Sequence, residues 1–246
     1  MISEKDFMAR YRKLKNIRLS GMAEELKRQH ETWKDEHLSA EERIIRLIDA
    51  ESDMRDSKKF ERLLKASGIR YKDASLNHKL LESEGVDRSL LERLATEDWT
   101  EEGTNLLITG KTGAGKTYCA CALAVALMAR FKTVRYFKAG ELLRILQNAE
   151  SRMELTQELN KLSRYDLLIV DDFGLMNLNM EMCRNLFELI DVRDGRKSNI
   201  FISQFPVSEW YEMFKDNTYA DACLDRLTGG ARRLEFLGES RRLSRN

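Results

Sequence analysis

The chain has 246 residues, of which 34% are charged and 42% are hydrophobic, and its formal net charge at pH 7 is +1. This length accommodates one large domain and a smaller one, and the charge excludes a polycation. No apolar run approaches the ~20 residues of a membrane span, and the first residues lack the apolar core of a secretory signal. Four cysteines at spacings typical of neither zinc nor redox sites favour a reducing compartment. We therefore predict a cytoplasmic protein without a membrane partner.

Apolar residues recur at helical spacing through most of the first 98 residues. Phe7 begins one such stripe, and Ser20 is the predicted N-cap of a second helix. Ser39 and Glu42 have the spacing of a capping box that opens a third helix. The predicted buried face of this third helix carries four aliphatic residues, Ile44, Ile45, Leu47 and Ile48.

Basic residues are concentrated in two stretches of this predicted helical part. Six bases accompany one acid in residues 5–18, and seven accompany two acids in residues 55–72. Such stripes can contact phosphate backbones although the total charge is near zero, while a solvated helix face explains either stretch equally well. We predict an all-α domain over residues 1–70 that binds DNA or a partner, followed by a second domain over residues 71–246. The predicted DNA contacts are Arg10, Arg12, Lys13 and Lys15.

An eight-residue segment that starts at Gly110 fits the phosphate-loop pattern G-x-x-x-x-G-K-[ST] at every fixed position. It follows an apolar run at 105–109, a predicted strand, and precedes an alanine- and leucine-rich predicted helix. Glycines allow successive backbone N–H groups to face phosphate oxygens, Lys116 can reach the β- and γ-phosphates, and the Thr117 hydroxyl can ligate Mg²⁺. The predicted ATP-binding residues are Gly110, Lys111, Thr112, Gly113, Ala114, Gly115, Lys116, Thr117 and Tyr118.

A second motif lies about fifty residues further on, where the apolar run 167–170 ends in Asp171 and Asp172. Carboxylates at the end of a strand beside a phosphate loop can hold the metal of a bound nucleotide. We assign Asp171 to Mg²⁺ and Asp172 to activation of the attacking water. Most ATPases that have two acids at this position carry Glu in place of Asp172. Asp is one methylene shorter than Glu, so the sequence leaves the rate of hydrolysis open.

From residue 105 onwards, predicted strands and helices alternate, which is typical of a parallel sheet covered on both faces. The fold class is therefore α/β, with five predicted strands at 105–109, 133–137, 166–171, 199–203 and 232–237. Ligands bind at the carboxyl ends of such strands. We therefore expect the fourth strand to deliver Gln204 to the γ-phosphate, where its amide can orient the attacking water.

Several segments together resemble the IstB-like ATP-binding proteins, and the resemblance covers nearly the whole chain. The segments are 19–23, 105–120, 167–174, 203–210 and 237–242. The resemblance implies a P-loop AAA+ ATPase that binds DNA as an ATP-dependent oligomer and assists an IstA-type transposase in DNA transposition. The DnaC helicase loader has a similar ATPase half, so a replicative helicase loader is the alternative. A non-catalytic, ATP-dependent DNA-binding adaptor is a second alternative, favoured by Asp172.

The resemblance also implies two arginine roles. Arg226 is the candidate arginine finger, which completes the active site of a neighbouring subunit, so that active sites are shared within a homo-oligomer. Arg242 is expected to contact the phosphates of its own subunit, with Arg241 as an alternative. The implied enzyme is an ATPase that uses Mg²⁺ and is stimulated by DNA or a partner, with Lys116, Asp172, Gln204 and Arg226 as its catalytic residues.

Overall fold

The structure is a computed structural model that describes residues 3–32 and 38–239. The chain divides into two compact units, residues 1–62 and residues 63–246, which we call the helical unit and the sheet unit. The predicted functional boundary at residue 70 stays a prediction, because compactness does not show which part binds DNA. In the described part of the chain, every helix is too short or too polar to cross a membrane.

The helical unit contains α1 (Glu4–Asn16), α2 (Ser20–Glu31) and the larger part of α3 (Ala40–Ser67). The predicted capping box at the start of α3 is confirmed: the Ser39 N–H donates to the Glu42 carboxylate over 2.7 Å, and the Glu42 N–H donates to the Ser39 hydroxyl over 3.2 Å. The helix ends before Gly68, which has φ +72°, a left-handed conformation that glycine adopts without steric cost.

Helix α2 approaches the backbone of α3 closely at Gly21, where a Cβ atom would lie 2.2 Å from the carbonyl oxygen of Ala50. Glu51 accepts hydrogen bonds from the N–H groups of Gly21, over 2.7 Å, and Met22, over 3.3 Å. The start of α2 is thus capped from α3, and the prediction of Ser20 as its cap is wrong. Burial acts to raise the pKa of Glu51, but hydrogen bonds from Arg55 and these two N–H groups together hold it below its ordinary value.

The predicted buried face of α3 is wrong for three of its four residues, while Leu47 is half-buried. Ile44, Ile45 and Ile48 are 57%, 48% and 53% exposed. Helix α2 contacts α3 along a different line, where the Gln29 side chain donates to the carbonyl oxygen of Arg43 over 3.1 Å. Helical spacing identified an apolar stripe, but the contacts of α2 at Gly21 and Gln29 decided which side of α3 is covered.

The sheet unit alternates strands and helices as the sequence predicts, and the five predicted strands are confirmed within one or two residues at each end. Its elements after α3 are α4 (His78–Leu81), α5 (Arg88–Thr96), β1 (Leu106–Gly110), α6 (Lys116–Met128), β2 (Val134–Lys138), α7 (Ala139–Ser151), α8 (Leu155–Leu162), β3 (Leu167–Phe173), α9 (Met180–Arg193), β4 (Ser198–Ser203), a 3₁₀ helix (Val207–Met213), α10 (Asn217–Thr228) and β5 (Arg232–Phe236). All neighbouring strands are parallel, in the order β2-β3-β4-β1-β5.

The core of the sheet unit explains why these strands are nearly uniformly apolar. Residues of β3 and β4 are buried on both faces, as expected for central strands of a parallel sheet. Phe173 at the end of β3 packs edge-on against Phe201 and Trp210. Helix α6 carries the small residues Cys119 and Cys121, both fully buried, and burial raises the pKa of the Cys119 thiol to about 12. This packing brings the carboxyl ends of β1, β4 and β3 side by side.

The contact at Gly21 generates a stability prediction. We expect Gly21→Ala to destabilise the protein by about 1–3 kcal/mol, because the added methyl group overlaps the backbone of α3 and forces the helices apart. Chemical unfolding of the full chain, followed by the loss of helical circular dichroism, measures the change. The matched control is Ser20→Ala, which removes no capping hydrogen bond and should cost less than about 0.5 kcal/mol. Equal stability of the two variants would contradict the close approach.

Candidate active site

The loop between β1 and α6 has the backbone of an anion-binding site. Gly110, Gly113 and Gly115 have φ angles of +135°, +83° and +111°, which favour glycine. At Gly110 a Cβ atom would lie 2.2 Å from the carbonyl oxygen of Phe236 on β5, so no other residue fits. Helix α6 begins at Lys116, and the N–H groups of its first turn have no partner within the helix. These donors and the positive end of the helix dipole favour a phosphate group.

The side chain of Lys116 is held at this loop. Its Nζ donates to the carbonyl oxygens of Gly110, over 2.5 Å, and Lys111, over 2.8 Å. The residue is buried, with 7% exposure. A positive charge therefore lies at the loop whose N–H groups can bind a phosphate, as the sequence motif predicts.

Asp171 connects the phosphate loop to the strand β3. Its Oδ2 accepts hydrogen bonds of 2.8 Å from both the Thr117 hydroxyl and the Tyr136 phenol, and its Oδ1 accepts one of 2.8 Å from the Asp172 N–H. Burial raises the pKa of Tyr136, and the charge of Asp171 adds to this effect, so the phenol remains a donor. Sequence reasoning missed Tyr136, although its place on the strand next to β3 was a usable signal.

The donor set at Thr117 and Asp171 fits Mg²⁺, which prefers oxygen ligands and usually keeps phosphate oxygens among them. Within residues 3–32 and 38–239, no cluster of three or more His, Cys, Asp or Glu side chains could hold a metal by itself. A metal at Thr117 and Asp171 therefore depends on a bound nucleotide for further ligands.

Asp172 differs from Asp171 in both backbone and surroundings. The register of β3 against β4 shifts between Val170 and Phe173, and Asp172 adopts φ +58° within this irregularity. Its side chain is 38% exposed and pairs with Lys138, the last residue of β2, at 3.3 Å. The bulge turns Asp172 out of the strand pattern, so the two carboxylates occupy separate environments and suit separate roles.

Gln204 follows β4 and reaches the phosphate loop, because its Oε1 accepts a hydrogen bond of 2.5 Å from the Thr112 hydroxyl. A cavity of about 50 Å³ is lined by residues from the loop and from the two neighbouring strands: Thr112, Gly113, Lys116, Thr117, Asp171, Asp172, Ile202, Ser203 and Gln204. A larger cleft of about 550 Å³ lies at α7, α9 and α10. The charge of its Arg184 is already paired with Glu150. The smaller cavity, which is lined by Lys116, is therefore the better candidate for a phosphate site.

Tyr118, the last residue of the predicted ATP-binding set, faces the segment that precedes the sheet. Its hydroxyl oxygen accepts hydrogen bonds from the Ser75 N–H, over 3.3 Å, and the Asn77 side chain, over 3.1 Å. The Tyr71 ring lies 5.7 Å from the Tyr118 ring. Residues 71–77 therefore adjoin the phosphate loop, which the sequence motif alone does not indicate.

Arg226 lies far from the phosphate loop of its own chain. Its carbonyl oxygen accepts a hydrogen bond of 3.1 Å from Asn105, at the amino end of β1. The phosphate loop begins at the other end of this strand, about 3.3 Å per residue away. The Arg226 guanidinium instead pairs with Asp191 at 2.9 Å and lies 4.8 Å from the centre of the Phe187 ring. Arg241 and Arg242 lie outside the described residues.

The four predicted DNA contacts lie on α1 of the helical unit. Arg10, Arg12 and Lys13 are exposed, and Arg10 donates to the carbonyl oxygen of Asp6. Lys15 is half-buried and pairs with Glu24 at 2.6 Å. The hydrogen bond to Glu24 raises the pKa of Lys15. Three of the four side chains thus present their charge to solvent, while the fourth is engaged within the unit.

Comparison with known proteins agrees with this geometry. The profile of the IstB-like ATP binding protein family matches residues 12–246. The chain belongs to this family. An insertion sequence ATP-binding protein of Sinorhizobium fredii, y4uH, is 35% identical over 236 residues, covering 93% of this chain and 92% of that protein. The IS1162 ATP-binding protein of Pseudomonas fluorescens is 37% identical over 196 residues, covering 79% of this chain and 85% of that protein.

Among solved structures, the DnaC helicase loader superposes with a TM-score of 0.56 at 16% identity, covering 72% of this chain and 99% of that one. This likeness shows the fold, a P-loop AAA+ domain, as the IstB resemblance implied. The chain belongs to the IstB-like ATP-binding family, so ATP is the nucleotide that fits this site.

The position of Lys116 generates a binding prediction. We expect Lys116→Ala to weaken ATP binding about 10–100-fold, because hydrogen bonds to charged groups contribute about 1.5–3 kcal/mol. Titration with a fluorescent ATP analogue measures the affinity, and circular dichroism checks the fold. The matched control is Lys161→Ala, an exposed lysine on α8 of the same unit, which should bind ATP normally. Wild-type affinity of Lys116→Ala would refute the assignment of the site.

Proposed function

We propose that the protein hydrolyses Mg-ATP in a DNA-bound homo-oligomer and thereby assists an IstA-type transposase. The observation that carries the proposal is the contact of Thr117 with Asp171 beside Lys116, because it assembles a metal site and a phosphate site at one sheet edge. Membership of the IstB-like family and the insertion-sequence relatives support the assignment to transposition.

The roles of the chain's own groups follow from their placement. Lys116 and the N–H groups of the loop bind the β- and γ-phosphates, and Thr117 and Asp171 hold the metal. When bound, Mg²⁺ neutralises charge that develops on the phosphates. Asp172 accepts a proton from the attacking water, and Gln204, anchored by Thr112, orients that water.

The ion pair between Asp172 and Lys138 bears on the hydrolysis rate. Both side chains are more than one third exposed, and such pairs contribute about 0.2–1 kcal/mol. Lys138 therefore pairs with the carboxylate without holding it firmly in place. An exposed aspartate at this point agrees with slow turnover that DNA or a partner stimulates.

The distant position of Arg226 supports a site shared between subunits. An arginine at the amino edge of the sheet cannot serve the phosphates at the carboxyl edge of the same sheet. It can serve those of a neighbouring copy, where a guanidinium neutralises charge on the transferred phosphoryl group. Assembly then depends on the nucleotide, and many weak DNA contacts act together in the oligomer.

One observation favours a second candidate function, that of a helicase loader. Ile44, Ile45 and Ile48 form an exposed apolar group on α3, and such groups mark protein-binding surfaces. In this alternative the helical unit docks onto a protein and does not grip DNA. A non-catalytic adaptor is the further alternative, and measurement of ATP turnover decides it.

The first test concerns catalysis. We expect Asp172→Asn to bind ATP normally and to hydrolyse it about 10²–10⁴-fold more slowly, because the water loses its general base. Asparagine tolerates the left-handed backbone of this position, so the fold is preserved. Phosphate release with and without DNA measures turnover. The control is Glu141→Gln, an exposed acid near Asp172. Normal hydrolysis by Asp172→Asn would exclude Asp172 as the base, and absence of turnover in the unmodified protein with DNA would favour the adaptor.

The second test concerns the shared site. We expect Arg226→Ala to bind ATP but to lose about 10³–10⁵-fold in turnover, as arginine fingers in related chemistry do. Mixing it with Asp172→Asn should restore turnover, because one variant keeps a complete phosphate site and the other keeps the arginine. Asp191→Asn is the matched control: it removes the same ion pair but leaves the guanidinium, and should retain turnover. Failure of the co-assembled mixture to recover would contradict the shared site.

The third test concerns DNA. Replacing Arg10, Arg12 and Lys13 by Ala should weaken binding to every duplex sequence alike, because phosphate contacts carry no base information. Each lost contact should reduce the slope of log affinity against log salt by about 0.9. Lys15→Ala should change the slope less, since Glu24 already holds that ammonium.

ATP affinity serves as the control for this third test and should not change. An unchanged slope in the triple variant would place DNA elsewhere, at the surface of Lys138 and Arg144, and would favour the protein-docking function of the helical unit.

A further inference from the structure

A row of buried polar side chains crosses the amino edge of the sheet. Leu106 of β1 lies opposite Ile200 of β4, so Asn105 lies opposite Asn199. Asn105 is 6% exposed and its Oδ1 accepts hydrogen bonds from the Asn199 side chain, over 2.9 Å, and the Asn199 N–H, over 3.1 Å. Asn199 in turn accepts a hydrogen bond of 2.6 Å from the fully buried Arg193. The carboxamide of Asn105 therefore has a fixed orientation.

This orientation aims the Asn105 amide at the end of α10. Its Nδ2 donates to the carbonyl oxygens of Arg226, over 3.1 Å, and Leu227, over 3.5 Å. These carbonyls belong to the last turn of α10, whose acceptors have no partner within the helix. Asn105 thus caps the helix turn that carries Arg226, from a strand that is distant in sequence.

The side-chain contacts of Arg226 do not fix its position as firmly. Its guanidinium contacts Asp191 at 2.9 Å, the carbonyl oxygen of Ala222 at 3.1 Å and the Phe187 ring, but Asp191 is half exposed, and partly exposed ion pairs contribute little. The hydrogen bonds of Asn105, a buried residue, act instead on the backbone at the end of α10. A group that acts on a neighbour's phosphates must be held close to its productive geometry, since a displacement of about 1 Å can cost about 10²-fold in rate.

We propose that Asn105 is a positioning residue for Arg226: it holds the end of α10 so that the guanidinium meets the phosphates of a neighbouring copy of this chain. This inference rests on the proposed function and adds a residue to its shared site. Asn105 precedes the strand that leads to the phosphate loop, so a role in its own nucleotide site is the competing interpretation. The two interpretations differ in which active site loses activity when Asn105 is changed: that of the neighbouring subunit or that of the same subunit.

The test uses Asn105→Asp in the full chain. The carboxylate keeps the acceptor for Asn199 but loses the donor to the Arg226 and Leu227 carbonyls. We expect normal ATP affinity and about 10²-fold slower turnover with DNA. Mixing with Asp172→Asn, which supplies an intact Arg226, should restore turnover. Mixing with Arg226→Ala should not restore it.

Two checks accompany the mixing test. Retention of untagged subunits on tagged ones verifies that each mixture co-assembles. Lys116→Ala replaces Asp172→Asn if the latter still hydrolyses ATP.

Two outcomes would overturn the proposal while leaving the shared site intact: restoration by Arg226→Ala and not by Asp172→Asn, or normal turnover of Asn105→Asp alone. Failure of Arg226→Ala to recover in a co-assembled mixture with Asp172→Asn would refute the shared site itself, and the role of Asn105 with it. The control is Ser198→Ala, which alters a buried polar side chain at the same sheet edge without touching α10 and should keep its turnover.

Thermal unfolding checks that the variants fold. If Asn105→Asp does not fold, Asn105→Ser takes its place, because its hydroxyl can accept from the Asn199 N–H but is too short to reach Arg226. The same pattern of restoration is expected for it, and the same two outcomes would contradict the proposal.

Discussion

The hydrogen bond between Thr117 and Asp171 is the contact on which the arrangement of the site depends. It joins the first turn of α6 to the end of β3, although β4 separates β3 from β1 in the sheet. Two strand spacings of about 4.8 Å must be bridged, and the helix that follows the phosphate loop bridges them. Gln204, at the end of the intervening strand, therefore lies between the loop and the two carboxylates. A parallel sheet provides this geometry because all its strands end at one edge.

The opposite edge of the same sheet has a different physical character. Its polar groups are buried, so each must find a partner or cost free energy, and Asn105, Asn199 and Arg193 satisfy one another and several carbonyls. Arg226 is anchored there, one strand length from its own phosphate loop. Under the proposed function, a subunit holds its nucleotide at one edge and offers an arginine at the other. Each active site is then completed only by Arg226 of a neighbouring copy.

The helical unit follows a different constraint, the close approach of α2 and α3 at Gly21. A glycine at this contact lets two backbones meet, and Glu51 then replaces a local side chain as the cap of α2. Ile44, Ile45 and Ile48 of α3 remain exposed, as do Arg10, Arg12 and Lys13 of α1. The unit thus presents both a basic surface and an apolar surface. The first suits DNA, as the proposed function requires, and the second suits a protein, as the helicase-loader alternative requires.

Local sequence determined the features that depend on neighbouring residues. The glycines of the phosphate loop, the capping box at Ser39 and the apolar strands were predictable because their causes lie within a few residues. The meeting of Lys116, Asp171 and Gln204 was also predictable, since parallel strands end at a common edge. Contacts between distant segments were decided only by the tertiary structure.

Helical spacing located an apolar stripe on α3 but could not show that α2 covers another side, and Ser20 is a good cap by type that Glu51 displaces. The hydrogen bond from Asn105 to the end of α10 joins residues 121 positions apart, and no pattern in either segment predicts it. Sequence specifies the donors and acceptors, but packing decides which of them meet, because burial makes each unpaired group costly and leaves few arrangements that satisfy all of them.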